Sequence, residues 1–350
     1  MRAGSPRRLV AIALLAAAAG ARAAPVVAVP YYSAESYADG LLRDALLPRA
    51  AAFAEAVGAL DPALRALCEA ADAPAASRAL QQARGRWGDA AGAWERLAAV
   101  AVGPVAERRS ARQIDFAPTR PELIERAIRA APADAAAMER VGSAAKGLPA
   151  LEWLLWKQPP GSGSARCAYA RQVALDVARE ASALQAAYAE AAKADDEARV
   201  ALLAEALNQW LGGVEALRGR QMERPLRTPA KDGARGFPRE TSGRTASSWQ
   251  QQWQALRSLV VPPAGREAPA PGAGLVPFEL YLRGRGLNPL ADRLARSVRA
   301  VDARMQGLRP DAPARVRQAA AALAALRTLV ESEVAPALQV TLGFSDADGD

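Results

Sequence analysis

Residues 80–97 read LQQARGRWGDAAGAWERL, and the pattern of this stretch decides the fold class. Its apolar side chains recur at intervals of three and four residues, at Leu80, Ala83, Trp87, Ala90, Trp94 and Leu97. Such spacing places side chains on one face of an α-helix. The stretch therefore predicts a helix that buries one face against other helices.

The same spacing returns in residues 173–188, 200–217, 290–308 and 316–334. No segment shows the strict alternation of apolar and polar residues that is typical of a strand. The apolar fraction is 51% of the 350 residues, consists mainly of Ala and Leu, and includes only 5% aromatic residues. Because this composition favours packed helices over sheets, we predict an all-α protein.

Prolines and glycines separate these helices, and the longest breaks are residues 225–243 and 262–274. The helices are too numerous for a single four-helix bundle, so we expect two packed helical bundles. We place the boundary at Ala192. Residues 24–192 would then form the N-terminal bundle and residues 193–350 the C-terminal one.

The chain contains no histidine, which excludes Ser-His-Asp triads and zinc sites that depend on histidine. The formal net charge is +8, but four arginines lie in the N-terminal segment that we expect to be removed, which leaves 8 − 4 = +4. No basic stripe accompanies this charge. We therefore expect no binding to nucleic acid.

The first 23 residues have the features of a secretory signal peptide. Basic residues come first, an apolar run covers residues 9–19, and small residues stand at positions 21 and 23. The apolar run is shorter than the roughly twenty residues of a membrane span. We expect a mature chain without a transmembrane segment, located in the periplasm and open to association with the envelope.

The chain has two cysteines, Cys68 and Cys167. An even pair in an exported protein favours a disulfide. The alternative is that both are buried thiols that act as small apolar side chains. The sequence leaves both interpretations open, and we predict the disulfide.

Two segments of the chain resemble each other, GLPALEWLL at residues 147–155 and GLVPFELYL at residues 274–282. Each carries one glutamate, Glu152 in the first and Glu279 in the second. Either the halves are related by duplication, or two helices start by the same rules. If the halves are related, both carboxylates would face one cleft between the bundles, with the arginines of residues 239–244 or a metal ion as counter-charge.

The loop at residues 235–248 is a second candidate site. It contains Arg239, Arg244 and Thr245 just before a predicted helix. Guanidinium groups, hydroxyls and a helix N-terminus together can bind an anion or a carboxylate. The alternative is that a serine caps the helix and the arginines are solvated.

The segment KGLPALEWLL, residues 146–155, resembles the signature of the imelysin-like family, whose common form is G-x-H-x-x-E. The C-terminal residues 342–350, LGFSDADGD, resemble the ending of that family. The helix of Trp87 and Trp94, followed by a Gly-Pro pair at residues 103–104, adds to the resemblance. The resemblance implies an exported protein of two helical bundles that is associated with bacterial iron uptake, in a family also classed with metallopeptidases.

The chain departs from the family signature at one position. Gly147 and Glu152 match the motif, but Pro149 stands where the motif has its histidine. A zinc peptidase would lack its usual ligands here. We therefore predict a non-enzymatic accessory of iron uptake, which binds a ligand, a metal or an iron-uptake or envelope partner at the cleft between the bundles. The alternatives are a peptidase that uses carboxylates alone and a structural envelope adaptor without a small-molecule site.

The predicted ligand site consists of residues from both candidate segments, namely Gly147, Pro149, Glu152, Glu279, Arg239, Arg244 and Thr245. The sequence specifies no cofactor. Glu152 is the best candidate for a metal ligand, because carboxylate oxygens suit iron(III), calcium or magnesium better than soft metals.

Overall fold

The computed structural model describes residues 29–193, 196–228 and 235–343. Within these ranges every regular element is helical, which confirms the predicted all-α class. The described part of the chain contains no helix that is both long enough and apolar enough to cross a membrane. The predicted signal peptide and the C-terminal residues 344–350 lie outside the described residues.

The helices of the first part of the chain are α1 (Ala34–Leu41), α2 (Leu47–Gly58), α3 (Leu60–Cys68), α4 (Ala73–Ala98), α5 (Pro104–Glu107), α6 (Ser110–Ile114), α7 (Pro121–Ala130), α8 (Ala135–Glu139), α9 (Gly147–Trp156) and α10 (Ala165–Ala191). The later helices are α11 (Asp196–Glu215), α12 (Arg224–Arg227), α13 (Thr245–Ser258), α14 (Phe278–Gly284), α15 (Asn288–Met305), α16 (Pro313–Leu329) and α17 (Ala335–Ala337). A 3₁₀ turn at Ser143–Ala145 precedes α9.

Among the described residues, three π-helical segments interrupt the long helices, at Leu42–Leu46, Ala216–Glu223 and Val330–Val334. Each ends two residues before a proline, namely Pro48, Pro225 and Pro336. Proline has no N–H, and its ring clashes with the carbonyl of the preceding turn. A local widening of the helix relieves that clash, so the chain continues past each proline without a break.

The helices pack as two groups that share one continuous apolar core. In the first group, α2, α3, α4 and α10 contact one another. In the second, α15 packs on α16, which also contacts α11. Helix α4 of the first group packs against α13, which brings the second candidate loop to the first group.

The first described residues pack against the C-terminal half of the chain. Tyr37 in α1 stacks on Phe278 with the ring centroids 5.8 Å apart. Gly40 lies so close to the backbone of Gly274 that a Cβ atom would stand 2.2 Å from its carbonyl oxygen. Helix α1 therefore belongs by contact with the second group, and the division into two domains at Ala192 stays a prediction.

Cys68 and Cys167 form a disulfide, as the sequence predicts. The bond joins the end of α3 to the first turn of α10, with the two Cα atoms 5.6 Å apart. Ser164 caps α10 by accepting a hydrogen bond from the Cys167 N–H. The bridge thus fixes the start of the long helix against which α9 packs.

Candidate functional site

Helix α9 starts with a close approach of two backbones at Gly147. Gly147 has a φ of +78°, and a Cβ atom there would lie 2.5 Å from the carbonyl oxygen of Ile114 at the end of α6. Only glycine accommodates both the left-handed conformation and this contact. Pro149 follows in the first helical turn, where its missing N–H is not needed. The motif therefore positions α9 directly against α6.

Lys146, directly before α9, fixes the N-terminal end of this helix from another side. Its ammonium group is buried, pairs with Asp176 of α10 at 3.1 Å and donates to the carbonyl oxygen of Met138 at 3.3 Å. On the far side, the indole N–H of Trp87 in α4 donates to the carbonyl oxygen of Leu148 at 2.9 Å. Contacts with α4, α6 and α10 therefore fix the position of helix α9.

Glu152 extends from α9 to the loop that precedes α13. Its carboxylate is buried, and Oε1 accepts a hydrogen bond from the backbone N–H of Ser242 at 2.9 Å. Burial raises the pKa of Glu152, whereas the hydrogen bonds from Ser242 and the charge of Arg239 act in the opposite direction. The net pKa is above its usual value, so the desolvation of this carboxyl is only partly offset.

Arg239 lies at the centre of a buried group of carboxylates. Its Nε donates to Glu95 Oε1 at 3.0 Å and its Nη2 to Asp115 Oδ2 at 2.8 Å. Burial alone would lower the pKa of Arg239, but the charges of Asp115, Glu95 and Glu152 raise it above its ordinary value. The guanidinium also lies 5.6 Å from the centroid of the Trp87 ring. Arg239 is therefore a permanent cation that bonds Glu95 and Asp115 and attracts the nearby charge of Glu152.

The backbone of Arg239 is in the left-handed region, with a φ of +59°. That conformation is uncommon for a residue with a side chain and costs on the order of 1–3 kcal/mol. The ion pairs of the guanidinium hold it in place. Strained residues of this kind are concentrated at functional sites, so the conformation of Arg239 supports this loop as a candidate site.

The second oxygen of Glu95 completes the bonded group. It accepts hydrogen bonds from the Ser248 hydroxyl and the Gln252 amide, both on α13. Gln252 in turn exchanges amide hydrogen bonds with Gln221. We call the side chains of Glu95, Asp115, Glu152, Arg239, Ser248 and Gln252 the Arg239 cluster. It connects α4, α9 and the residue after α6 to α13 and its preceding loop.

The loop before α13 is fixed by its own hydrogen bonds. Glu240 accepts backbone N–H groups from Arg235, Gly236 and Phe237 at 3.1, 2.7 and 3.2 Å. The Thr245 hydroxyl donates to the carbonyl oxygen of Pro238 at 2.8 Å. Thr245 therefore has a hydrogen-bond partner within the loop.

A cleft of about 420 Å³ lies beside the cluster, between α2, α4 and α13. Arg244 lines it, and the small residues Gly88 and Gly92 of α4 form part of the wall. The Arg244 guanidinium rests on Gly88, where a Cβ atom would be 2.2 Å from Cζ. This guanidinium makes no hydrogen bond or ion pair with any other residue that the structure describes.

The structure brings Gly147, Pro149, Glu152, Arg239 and Thr245 into one region, and their role as a ligand site stays a prediction. Glu279 has different partners. It pairs with Arg283, four residues later in its own helix, at 2.8 Å. Glu152 is the sixth residue of α9, whereas Glu279 is the second of α14, so the two segments that look alike start their helices differently. The cleft shared by both glutamates stays a prediction.

Sequence reasoning missed Glu95, Asp115 and Gln252 as members of the site. Glu95 follows Trp94 in a stretch of α4 that is buried on nearly all sides, and its neighbours Ala91 and Ala93 are small. A carboxylate in such a stretch needs an ion-pair or hydrogen-bond partner, and this requirement could have identified Glu95 from the sequence. Asp115 lies in an irregular segment, and no pattern in the sequence marks it.

The described residues contain no group of three or more acidic or sulfur side chains that could hold a metal ion. Three of the four carboxylate oxygens of Glu95 and Asp115 accept hydrogen bonds, which come from Arg239, Ser248, Gln252 and the Trp94 indole N–H. With no histidine in the chain, these residues do not fit a peptidase zinc centre. The prediction that Glu152 contacts a hard cation is not tested by this geometry.

The fold and the cluster define the class of protein: an all-helical protein that joins two helix groups around a buried arginine and three acids. The sequence model of the family described as Imelysin matches residues 46–340. The chain belongs to the imelysin family. No curated protein matches it.

Two solved structures have a similar fold. An imelysin-like protein from Psychrobacter arcticum is 23% identical, with a TM-score of 0.71, over 91% of this chain and 100% of that one. A protein from Parabacteroides distasonis, described as a "putative iron-regulated protein A precursor", is 14% identical, with a TM-score of 0.68, over 85% of this chain and 93% of that one. At these identities the similarity is one of fold.

Proposed function

We propose that this imelysin-family protein is an exported accessory of bacterial iron uptake, which works in the periplasm or at the envelope without catalysing a reaction. It would bind a ligand or a partner protein at the cleft beside the Arg239 cluster. The description of the Parabacteroides distasonis protein as iron-regulated supports the link to iron. The signal-peptide pattern of residues 1–23 supports export.

The observation that carries the proposal is the position of Arg239 among three carboxylates. The guanidinium supplies a central positive charge to these three carboxylates. Because the cluster joins α4 and α9 to the loop before α13, it fixes the walls of the cleft. A rigid wall with preformed polar groups is typical of a binding site.

A growth experiment tests this proposal. The gene would be deleted in its own host, and growth under iron limitation and uptake of labelled iron would be measured. We expect both to fall and to be restored by the wild-type gene and by Arg235→Gln, which changes an exposed loop residue. Glu152→Gln should restore them less well. Normal growth and uptake in the deletion strain would contradict the proposal and favour the structural adaptor.

The peptidase alternative has its own test. Purified residues 24–350 would be incubated with an unfolded protein substrate and zinc, with and without a chelator. We expect no cleavage, because Pro149 replaces the motif histidine and the chain has no other histidine. Chelator-sensitive cleavage that disappears in Glu152→Ala would show that the protein is an enzyme.

A hard cation at Glu152 is a second candidate role. The cluster has three carboxylates for one guanidinium, and this excess of negative charge favours it. Since the described residues offer too few ligands alone, the cation would be shared with a bound ligand. Equilibrium dialysis of wild type and Glu152→Gln against iron(III), calcium and magnesium would test it. Equal binding by both proteins would rule out this role for Glu152.

A further inference from the structure

We propose that the cleft between α2, α4 and α13 binds a small anion with carboxylate or phosphate groups, and that Arg96 and Arg244 hold it. This inference rests on the proposed function, because it supplies the chemistry of the ligand. A volume of about 420 Å³ suits a small molecule.

The first argument is the charge of three arginines around the cleft. The Arg244 guanidinium has no bonded partner among the described residues, and Arg96 donates to the neutral amide of Gln251 at 2.5 Å. Arg49 lies beside them and donates to the Ser258 hydroxyl and to the carbonyl oxygens of Ala255 and Arg96. None of the three has a carboxylate partner in the part of the chain that the structure describes.

The pKa of Arg49 shows the effect of this positive charge. The pKa of Arg49 is lowered to about 10, chiefly by burial; the charge of Arg96 adds to this lowering, and Tyr188 acts in the opposite direction. Arg96 lines the cleft, so an anion bound there would offset the repulsion between Arg96 and Arg49. Guanidinium groups also bind carboxylate and phosphate oxygens in pairs, which gives such a site directional selectivity.

The acidic residues of the cleft do not cancel this charge. Asp89 is paired with Arg86 at 3.6 Å, three residues earlier in α4. Glu55 on α2 is exposed and is the other carboxylate among the lining residues. Against it stand Arg96 and Arg244 in the lining and Arg49 beside them. An excess of positive charge therefore remains at the α4 and α13 side.

The second argument is the fit between Arg244 and Gly88. Any side chain at position 88 would occupy the space of the Arg244 guanidinium, since a Cβ atom would come within 2.5 Å of both Nη atoms. Gly85, three residues earlier in α4, is different: no heavy atom lies within 4 Å of the position that its Cβ atom would occupy, and it does not line the cleft. Gly88 thus permits the position of Arg244 in the cleft, and Gly85 is a matched control.

The experiment measures binding of citrate and of pyrophosphate to purified residues 24–350 by isothermal titration calorimetry. The variants are Arg244→Gln, with Arg317→Gln on the exposed face of α16 as its charge control, and Gly88→Ala, with Gly85→Ala as its control. Gly88→Ala keeps every charge and displaces a flexible side chain, so it should fold normally. Circular dichroism checks the fold of each variant.

We expect one of the two anions to bind, and its identity distinguishes a carboxylate ligand from a phosphate ligand. Arg244→Gln and Gly88→Ala should each weaken binding by about tenfold or more, the usual loss for a hydrogen bond to a charged group. Both controls should bind as wild type does. Equal weakening by Arg317→Gln would show that the anion responds only to net charge, and this result would overturn the proposal.

Failure of this inference is distinguishable from failure of the proposed function. If neither anion binds the wild-type protein while deletion of the gene still lowers iron uptake, the anion class is wrong and the accessory role stands. If an anion binds as expected and deletion leaves iron uptake unchanged, the cleft is a binding site in a protein with a different role.

Discussion

The Arg239 Nε atom donates to the Glu95 carboxylate at 3.0 Å, across 144 residues of sequence. Both side chains are about 5% exposed, so the pair is removed from water. It connects the last turn of α4 to the loop before α13 and thereby joins the two helix groups. A buried ion pair of this kind adds less to stability than its geometry suggests, but breaking it leaves an unpaired charge.

Removal of the guanidinium should therefore destabilise the protein strongly. Arg239→Met leaves Glu95, Asp115 and Glu152 without their shared cation, and we expect the free energy of unfolding to fall by about 3–5 kcal/mol. Urea denaturation followed by tryptophan fluorescence measures it. Arg235→Met, in the same loop but exposed, should change stability by less than about 0.5 kcal/mol. A small effect of Arg239→Met would mean that the cluster is open to water.

Glu152 should make stability depend on pH in a particular direction. Its pKa is raised in the folded state, chiefly by burial, so the folded protein holds this proton more tightly than the unfolded chain does. The stabilising contribution is complete below the unfolded value of 4.5 and is lost as pH rises through the folded pKa. The Glu152→Gln variant lacks this loss.

Urea midpoints at several pH values above and below 4.5 test this dependence. Relative to wild type, Glu152→Gln should gain stability as the pH rises, because its amide cannot ionise. Glu139→Gln at the exposed end of α8 serves as the control and should follow wild type at each pH. If the difference between Glu152→Gln and wild type moves in the opposite direction, the net pKa of Glu152 is lowered and our interpretation fails.

Much of the fold was accessible from the sequence because it depends on local patterns. The three-and-four spacing in residues 80–97 predicts α4, and the paired cysteines of an exported chain predict the bridge from Cys68 to Cys167. The π-helical segments escaped notice although their cause, a proline two residues later, is local. The packing of α1 against the C-terminal half could not be predicted, since no pattern specifies which group a short helix joins.

The candidate site was accessible only in part. Glu152 and Arg239 lie in unusual segments, and the charge of Arg239 acts on the carboxylate of Glu152. Glu279 was grouped with them because residues 274–282 resemble residues 147–155, and both segments contain the glycine, proline and glutamate that favour the start of a helix. The spacing of Glu279 and Arg283, four residues apart on one helix, is itself typical of an ion pair and accounts for the glutamate without a ligand.

The disulfide should account for a large share of stability. It closes a loop of 99 residues, for which the chain-entropy model gives a stabilisation of about 4–5 kcal/mol. The double variant Cys68→Ala/Cys167→Ala should lose about this amount in urea denaturation under oxidising conditions. Wild type with a reducing agent should approach the stability of the double variant, and the double variant itself should not respond to the reducing agent.

Two adjacent glycines in α11 should respond to alanine in opposite ways. No heavy atom lies within 4 Å of the position that a Cβ atom of Gly212 would occupy, so Gly212→Ala should stabilise by about 0.5–1 kcal/mol through the higher helix propensity of alanine. At Gly213 a Cβ atom would lie 1.9 Å from the carbonyl oxygen of Ala99 and 2.9 Å from Leu256. A backbone atom cannot move aside as a flexible side chain does, so Gly213→Ala should force α11 away from the end of α4. The free energy of unfolding should fall by more than the roughly 1–3 kcal/mol that is typical of core overpacking.

Thermal and urea unfolding of both variants, which differ only in the position of one methyl group, separate the effect of close packing from that of helix propensity. Stabilisation by both substitutions would show that α11 and the residue after α4 do not approach as closely as this structure has them.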